Sequence, residues 1–442
     1  MKKELYLPYF KGKKITVLGL GLLGRGIGDS AFLASCGAKL LVTDKKTEEQ
    51  LAYSLNQLTS FPEIAYYLGG HAYADFENRD FILQAAGIPR DNEYILHAKE
   101  KHIPVYMSAA LLAHIVTTHL PRVRIIGITG TRGKSTTTEL IAHILSQAGK
   151  RVHRGGNIRR VANLPLLEVI EDGDYLVLEL DSWQLQGFAD MEISPHIAVF
   201  TSFLDDHMNY YNGDKEIYFQ DKAAIYRFQK EGDVLIASAQ AEEEITKRDD
   251  VSIVVPEVGV YDTKLIGEHN MIAISLAEEV AKRCELTEDQ IREGVRTAEP
   301  VEGRLQYMGE VQGIHTYNDN NATTGDAVVA GIRAVAEHLK MKPILICGGA
   351  DKGLPLDDLE KEIRENTKAC ILLAGTGSYR LLVDATICNT LPECIAKAFE
   401  IAEKGDVILF SPGFASFSEY FNNEYERNDV FIREIKKRLE NK

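Results

Sequence analysis

The 442-residue sequence has no apolar run as long as the ~20 residues that a membrane-spanning helix needs. The opening residues, Met-Lys-Lys-Glu-Leu-Tyr, lack the apolar centre of a secretory signal. Six cysteines are scattered without the paired spacing of a metal site, a distribution typical of reduced thiols. We therefore expect a cytoplasmic protein without membrane insertion.

The sequence also has fewer basic than acidic residues. Fifty Lys and Arg residues face 65 Asp and Glu residues, which gives a formal net charge of −15. Nonspecific nucleic-acid binding needs a basic surface, so this composition excludes nucleic acid as a partner. Anionic substrates must instead be held by local groups that act against the overall field. The length predicts two or three domains, and we expect a monomer.

Residues 125–138 form the most informative segment, Ile-Ile-Gly-Ile-Thr-Gly-Thr-Arg-Gly-Lys-Ser-Thr-Thr-Thr. The pattern predicts a strand, a glycine-rich turn and a helix. Backbone N–H groups at the helix start would face an anion, Lys134 would add positive charge, and the Ser135 hydroxyl could reach Mg²⁺. This combination predicts a nucleoside triphosphate site. Ile128 stands where the usual pattern has glycine, so the loop is a variant, and a chance Gly-Lys-Ser at a strand end is the alternative.

A second glycine pattern follows the first apolar segment of the chain. Gly19, Gly21 and Gly24 fit G-x-G-x-x-G, and Asp44 lies 20 residues after the last of them. Such a turn binds diphosphates, while the acid binds a sugar or base edge. A nicotinamide dinucleotide and a nucleotide-sugar diphosphate fit equally well, and a strand–helix turn without a ligand is the third interpretation.

The order of apolar segments predicts the fold class. Short, continuously apolar runs alternate with helical patterns along the chain, as at 174–180 and 342–349. Strands buried on both faces and separated by helices are typical of parallel sheets. We predict an α/β protein of three domains, each a mostly parallel sheet flanked by helices. The predicted domains are a Rossmann-like one over 1–107, a P-loop-type ATPase over 108–299 and a second Rossmann-like one over 300–442.

Three ionisable residues follow the phosphate loop in the sequence. Glu179 ends one apolar strand, His207 comes soon after the next, and Lys222 falls on a predicted helix. Magnesium prefers oxygen ligands, so Glu179 and Ser135 suit it, whereas His207 is a less usual ligand. Each residue alone has an ordinary structural explanation. Together, in this order after a phosphate loop, they indicate a catalytic site.

Further motifs extend the pattern over nearly the whole chain. They are residues 129–135, 155–157, 179–184, 206–207, Lys222, 267–270, 303–304, 318–319, 322–323, 348–352 and 411–416. In these motifs the sequence resembles the Mur ligase family of peptidoglycan synthesis. Within the family it is most similar to the member that adds D-glutamate to UDP-N-acetylmuramoyl-L-alanine.

The resemblance implies an ATP-dependent ligase that forms an amide through an acyl phosphate, with two Mg²⁺ ions. It also implies that Lys222 is an N-carboxylysine, which would turn a cation into an oxygen ligand. The implied catalytic residues are Lys134, His207 and Lys222. The implied ATP-contacting residues are Gly130, Thr131, Arg132, Gly133, Lys134, Ser135, Thr136, Asn270, Arg304 and Asp319. The implied metal ligands are Ser135, Glu179, His207 and Lys222.

The resemblance also implies the substrates, UDP-N-acetylmuramoyl-L-alanine and glutamate. The implied contacts of the nucleotide sugar are Leu22, Leu23, Asp44, Gly87 and Asn157. The implied contacts of glutamate are Thr323, Lys352, Ser416 and Tyr425. On this interpretation the first glycine loop grips a UDP group, and a nicotinamide reaction is disfavoured.

Some positions depart from the family pattern. Arg132 replaces an Asn beside the phosphates, and Asp181 and Trp183 replace Ser and Phe after Glu179. Asp181 could add a carboxylate on the metal side or accept a hydrogen bond. Asn321 stands where Lys is common. Addition of L-glutamate or of another amino acid therefore remains open, as does a folylpolyglutamate-type ligase. An inactive nucleotide-binding regulator is the alternative outside enzymes of this class.

Overall fold

A computed structural model describes residues 1–22, 24–416, 421 and 423–440 of the chain. Within these residues, three mostly parallel sheets are flanked by helices, which confirms the predicted α/β class. The chain forms two compact units. One comprises Met1–Glu257 and Ile274–Gly294, and the other comprises Val258–Ala273 and Val295–Lys442. Leu23, which the resemblance implied as a substrate contact, lies outside the described residues.

The first sheet occupies the N-terminal part of the first unit. Its strands are β1 (Lys14–Leu18), β2 (Lys39–Asp44), β3 (Ala65–Leu68), β4 (Phe81–Gln84) and β5 (Val105–Tyr106). The nearby helices are α1 (Lys3–Tyr6), α2 (Arg25–Ser35), α3 (Ala52–Asn56), α4 (Glu93–Glu100) and α5 (Ser108–His119). The strand order is β3-β2-β1-β4-β5 with every pair parallel. The carboxyl ends of β1 and β4 therefore share the edge that carries the first glycine loop.

The second sheet carries the phosphate loop. Its strands are β6 (Arg124–Thr129), β7 (Val152–Gly156), β8 (Tyr175–Glu179), β9 (Ile197–Phe200), β10 (Val234–Ala237) and β11 (Ile253–Val254). The helices that follow β6 are α6 (Lys134–Gln147), α7 (Leu166–Val169), α8 (Ser182–Asp190), α9 (Lys215–Arg227), α10 (Ala239–Thr246), α11 (Glu268–Arg283) and α12 (Glu288–Thr297). The order is β11-β10-β9-β6-β8-β7, again parallel.

The third sheet belongs to the second unit. Its strands are β12 (Gln306–Val311), β13 (Ile314–Asn318), β14 (Ile344–Cys347), β15 (Ala369–Leu373), β16 (Thr386–Cys388) and β17 (Val407–Phe410). Its helices are α13 (Gly325–Leu339), α14 (Asp357–Asn366), α15 (Leu391–Ile401) and α16 (Glu424–Glu440). The order is β12-β13-β17-β14-β15-β16. The β12–β13 hairpin is antiparallel, and the other neighbours are parallel.

The central strands are continuously apolar because helices cover both faces of each sheet. In β8, for example, Leu176, Val177 and Leu178 have no exposed surface. An acidic residue ends two of these buried strands, Glu179 in β8 and Asp44 in β2. The carboxyl ends of parallel strands are where α/β proteins bind ligands.

Candidate functional site

The phosphate loop connects β6 to α6, as the sequence predicted. Gly130 has a φ of +144° and Gly133 a φ of +84°, both outside the range that suits residues with a side chain. A side chain at Gly130 would also overlap the Thr201 hydroxyl. Ile128, the departure from the usual pattern, is buried in the strand. The glycine requirement therefore falls on Gly130 instead.

Two lysines converge on this loop. The Lys134 Nζ atom donates to the carbonyl oxygens of Gly130, at 2.9 Å, and Thr131, at 3.1 Å. The Lys222 Nζ atom, from α9, donates to the same Gly130 oxygen at 2.9 Å. Burial, and then the charge of Lys134, hold the pKa of Lys222 well below its ordinary value. The structure thus brings together two residues that are 88 positions apart in the sequence.

His207 lies in the loop between β9 and α9, with a φ of +55°. Its ring packs against Trp183 with the ring centroids 4.7 Å apart. Burial lowers the pKa of His207, with the neighbouring Asp206 carboxylate opposing the shift. The imidazole is therefore neutral at pH 7, the form that binds a metal ion. Asp206 also accepts a hydrogen bond from Arg132 at 2.9 Å, so the substituted arginine ties this loop to the phosphate loop.

Glu179 ends β8 and is buried, as its position after an apolar strand predicted. Asp181, two residues on, caps α8: its carboxylate accepts a hydrogen bond from the Gln184 backbone N–H at 2.8 Å. Of the two roles that the sequence left open for Asp181, the structure favours the hydrogen-bond acceptor.

No three His, Cys, Asp or Glu side chains in the described part of the chain are close enough together to hold a metal ion. A magnesium ion near Glu179 would need other oxygen ligands, such as the Ser135 hydroxyl or phosphate groups. A carboxylated Lys222 would be a further oxygen donor beside the loop. The donor set fits a hard metal ion only with such additions.

The first glycine loop follows β1. Gly19, Gly21 and Gly24 all have positive φ values, between +68° and +90°. Asp44, at the end of β2, accepts a hydrogen bond from the Gly21 backbone N–H at 3.1 Å and from Lys46 N–H at 2.9 Å. The acidic residue of the fingerprint is thus buried and holds the loop backbone itself.

The remaining implied contacts of the nucleotide sugar lie in the same unit. Leu22 is exposed at the tip of the glycine loop. A side chain on Gly87 would meet open space. The Asn157 backbone N–H donates to the Glu179 carbonyl at 2.7 Å, and its side-chain oxygen accepts from Arg25. Asn157 therefore connects the glycine-loop helix to the end of β8.

In the second unit, Asp319 follows β13 and is buried. Its carboxylate accepts hydrogen bonds from the Leu305 N–H at 3.1 Å and the Ser411 hydroxyl at 2.8 Å. Burial raises the pKa of Asp319 to about 7, and the nearby Arg304 opposes the shift. Asn270 is buried at the start of α11 and donates to the Ile266 carbonyl at 2.7 Å.

Thr323 and Lys352 meet, since the Lys352 Nζ atom donates to the Thr323 hydroxyl at 2.9 Å. Ser416 is buried, and Tyr425 lies half-buried on α16. Asn321, the departure from the family lysine, donates to the Glu302 carbonyl at 3.2 Å. Thr323 and Lys352 thus have local partners in the structure. Whether the four residues bind the substrate glutamate stays a prediction.

One buried cation in this unit was not predicted from the sequence. Arg427, on α16, has no exposed surface and donates to the side chain and carbonyl of Asn320 and to the Phe414 carbonyl. Burial lowers its pKa to about 10. The signal in the sequence that could have found it was its place two residues after Tyr425, an implied contact of glutamate. It joins the loops that precede Thr323 and Ser416.

Comparisons with known proteins identify relatives of this chain in sequence and in structure. Residues 128–259 match the family model described as the Mur ligase middle domain. The UDP-N-acetylmuramoylalanine–D-glutamate ligase of Roseiflexus sp. (strain RS-1) is 32% identical over 469 residues, which cover 96% of this chain and 98% of that protein. This chain belongs to the Mur ligase family. Membership makes it an enzyme of the ligase class and confirms the resemblance inferred from the motifs.

Solved Mur ligases share the fold. The UDP-N-acetylmuramate–alanine ligase of Thermotoga maritima superposes with a TM-score of 0.63 at 17% identity, covering 96% of this chain and 99% of that one. The MurF ligase of the same organism, in complex with ADP, gives a TM-score of 0.62 at 16% identity, with 100% of both chains covered. At these identities, the structural similarity is evidence only for the fold of the chain and not for its substrate.

Proposed function

We propose that this Mur ligase uses ATP to join the carboxylate of UDP-N-acetylmuramoyl-L-alanine to the amine of D-glutamate. The observation that carries the proposal is the 32% identity to a D-glutamate ligase over 96% of the chain. The convergence of Lys134 and Lys222 on the Gly130 carbonyl supports an intact site. An inactive regulator would have no need to retain this arrangement.

ATP is proposed to lie with its phosphates on residues 130–136. Gly130 and Gly133 let the backbone approach the anion closely, and the start of α6 adds the positive end of a helix dipole. In the described structure Lys134 reaches back to the carbonyls of its own loop. We propose that this amine turns to the phosphates when ATP binds.

The reaction has two steps. A carboxylate oxygen of the acceptor attacks the γ-phosphorus of ATP, and the bond to the ADP oxygen breaks. The amine nitrogen of glutamate then attacks the carbonyl carbon of the acyl phosphate through a tetrahedral intermediate. Inorganic phosphate leaves, and the proton of the amine passes to solvent. Lys134 and the loop N–H groups stabilise the charge that develops on the transferred phosphoryl group.

Ser135, Glu179, His207 and Lys222 are proposed to hold two magnesium ions with the phosphates. Magnesium would neutralise phosphate charge and polarise the transferred group. Lys222 fits this role only after its neutral amine adds to CO₂ and releases a proton, which yields an N-carboxylate. Burial and the charge of Lys134 favour that neutral amine.

The acceptor is proposed to bind along the first glycine loop. Asp44 orders that loop through the Gly21 N–H, and the loop amides suit a diphosphate. Asn157 lies beside Glu179 and is proposed to contact the muramoyl side. The other proposed contacts of the acceptor are Leu22, Leu23 and Gly87.

Glutamate is proposed to bind in the second unit, where Lys352 supplies a cation for a carboxylate. Thr323, which already pairs with Lys352, and Ser416 supply hydroxyls for orientation. Tyr425 is the proposed aromatic wall. In the same unit, Asn270, Arg304 and Asp319 are proposed to contact ATP, with Asp319 near the ribose.

Among the described residues, no helix is long and apolar enough to cross a membrane. The cytoplasmic location and the monomeric state stay predictions. A cytoplasmic location suits an enzyme that acts on a water-soluble nucleotide sugar.

Phosphate release from ATP and Mg²⁺ tests the proposal. Reactions contain UDP-N-acetylmuramoyl-L-alanine with D-glutamate, with L-glutamate, or with neither. The expected result is release with D-glutamate alone. Release with L-glutamate only would keep the chemistry but replace the proposed amino acid. Release that does not depend on the acceptor, or that requires a folate acceptor, would overturn the proposed substrate.

A further inference from the structure

Helix α2 starts directly after the first glycine loop and lies against residues 156–164 of the second sheet region. Two glycines permit the close approach. A side chain at Gly28 would overlap the Cβ atom of Ala162, and one at Gly24 would come within 3.4 Å of the Arg160 Cα atom. Gly24 immediately precedes the helix and Gly28 lies in its first turn, so both approach this segment at the start of α2.

Asp29 lies on α2 beside Gly28 and has lost nearly all contact with solvent. Its carboxylate accepts a hydrogen bond from the Leu164 backbone N–H at 2.8 Å. The Ser108 hydroxyl and the Asn163 backbone N–H also stabilise its charge, whereas burial raises its pKa to about 6. A buried carboxylate held mainly by backbone donors fixes the position of the chain that supplies them.

The side chain of Asn163 connects the segment held by Asp29 to the glycine-rich turn at the end of β7. Its side-chain oxygen accepts from the Gly156 N–H at 2.7 Å, and its amide nitrogen donates to the Ser108 hydroxyl at 3.0 Å. Gly156 has a φ of +88°, and any side chain there would overlap the Glu179 carbonyl. The turn is therefore confined between Asn163 and the end of β8.

Arg25 makes the second attachment. It is the first residue of α2, and its guanidinium donates to the Asn157 side-chain oxygen. The Asn157 backbone N–H donates in turn to the Glu179 carbonyl. The turn at Gly156 and Asn157 is thus connected to α2 on one side and to the Glu179 edge on the other.

We propose that Arg25 and Asp29 are positioning residues that set the turn at Gly156 and Asn157 for the muramoyl end of the acceptor. The inference rests on the proposed function. The UDP group and the carboxylate to be phosphorylated are at opposite ends of one acceptor molecule. Both ends must be correctly placed at once, because small displacements of a reacting group lower the rate steeply. A rigid connection from the glycine loop to Asn157 fixes that spacing.

Titration calorimetry with two ligands, UDP-N-acetylmuramoyl-L-alanine and UDP alone, tests the inference. The variants are Arg25→Ala, Asp29→Ala and Asp29→Asn, and kcat/KM for the acceptor is measured alongside. Ser30→Ala is the matched control: Ser30 is buried on the same helix, and its hydroxyl has no hydrogen-bond partner in the described structure. Arg25 is only half-buried, so its variant should fold even if Asp29→Ala does not.

We expect Arg25→Ala and Asp29→Ala to weaken binding of the full acceptor and lower its kcat/KM about tenfold or more. Binding of UDP and the KM for ATP should not change. Asp29→Asn should retain more activity, since its amide oxygen can still accept from Leu164, and Ser30→Ala should resemble the wild type.

Equal losses for UDP and the full acceptor would indicate general damage to the first sheet region and overturn the inference. So would an Arg25→Ala variant whose acceptor binding and kcat/KM match those of the wild type. In both cases the active wild-type enzyme would leave the proposed function standing. A wild-type enzyme without acceptor-dependent turnover would overturn the proposed function and this inference with it.

Discussion

Lys134 and Lys222 donate hydrogen bonds to the same atom, the carbonyl oxygen of Gly130, each at 2.9 Å. Lys222 also has the Tyr218 ring beside it, with Nζ 4.8 Å from the centroid. Two ammonium groups this close repel each other, and the buried one loses its proton more readily. The phosphate loop therefore has beside it a lysine whose neutral form is favoured, the form that the proposed reaction with CO₂ requires. No local sequence pattern links the two lysines.

Replacing Lys222 tests whether this amine carries the proposed carboxylate. We expect Lys222→Ala to lower kcat by about a hundredfold or more, the scale of losing a group that stabilises transition-state charge. A short carboxylic acid added to the assay should restore part of the activity. Lys215→Ala removes a partly exposed lysine, paired with Asp205, at the start of the same helix; this variant is the control and should remain active. Full activity of Lys222→Ala would rule out the carboxylate.

Replacing Asp44 tests the proposed acceptor loop. Without the carboxylate, the Gly21 N–H loses its partner, so we expect Asp44→Ala to raise the acceptor KM about tenfold, the scale of one hydrogen bond to a charged group. ATP binding should persist. Asp80→Ala is a matched control, because Asp80 also accepts from a backbone N–H, that of Lys14, but at the opposite end of β1. An unchanged acceptor KM would remove Asp44 from the site.

Replacing Lys352 tests the proposed glutamate pocket. We expect Lys352→Met to raise the KM for glutamate about tenfold to a hundredfold, because a charge-assisted contact with a carboxylate is lost. The KM values for ATP and acceptor should stay near those of the wild type. Lys361→Met removes an exposed lysine from α14 and serves as the control. If the two variants have the same glutamate KM, Lys352 does not bind the amino acid.

Asp319 predicts a pH-dependent difference in stability. Its pKa is about 7 in the folded protein and 3.8 as an ordinary side chain, so its contribution to stability is complete below pH 3.8. That contribution is lost as the pH rises to about 7, since the unfolded chain ionises first. Asp319→Asn keeps a neutral acceptor for the Leu305 N–H and should escape this loss.

The free energy of unfolding should be measured for both proteins by urea denaturation at pH 5 and pH 8. The stability of Asp319→Asn relative to the wild type should rise between these values by an amount on the order of 1 kcal/mol or more. His269, whose pKa burial lowers to about 4, has the opposite dependence but is common to both proteins. A relative stability that does not vary with pH would contradict a raised pKa for Asp319.

Local patterns predicted much of the fold. The phosphate loop, the first glycine loop and the apolar strands such as 174–180 all depend on residues near each other in the chain. The antiparallel β12–β13 hairpin was not anticipated, because Gln306–Val311 is half-exposed and lacks a continuously apolar run. The predicted domain boundaries at 107 and 299 remain predictions.

Contacts between residues far apart in the chain could not be predicted from the sequence. Asp29 and Leu164 are 135 residues apart, and Arg427 and Asn320 are 107 apart, so no spacing rule connects them. Asp181 could be a metal ligand or a helix cap until the Gln184 N–H was located beside it.

The most direct measurement uses UDP-N-acetylmuramoyl-L-alanine labelled with ¹⁸O in both carboxylate oxygens. The enzyme is supplied with ATP, Mg²⁺ and D-glutamate, and the masses of the products are measured by mass spectrometry. The account predicts an acceptor–glutamate amide that retains one labelled oxygen, and inorganic phosphate that carries the other. Unlabelled phosphate, or ADP without any amide, would contradict an acyl-phosphate ligase acting on this acceptor.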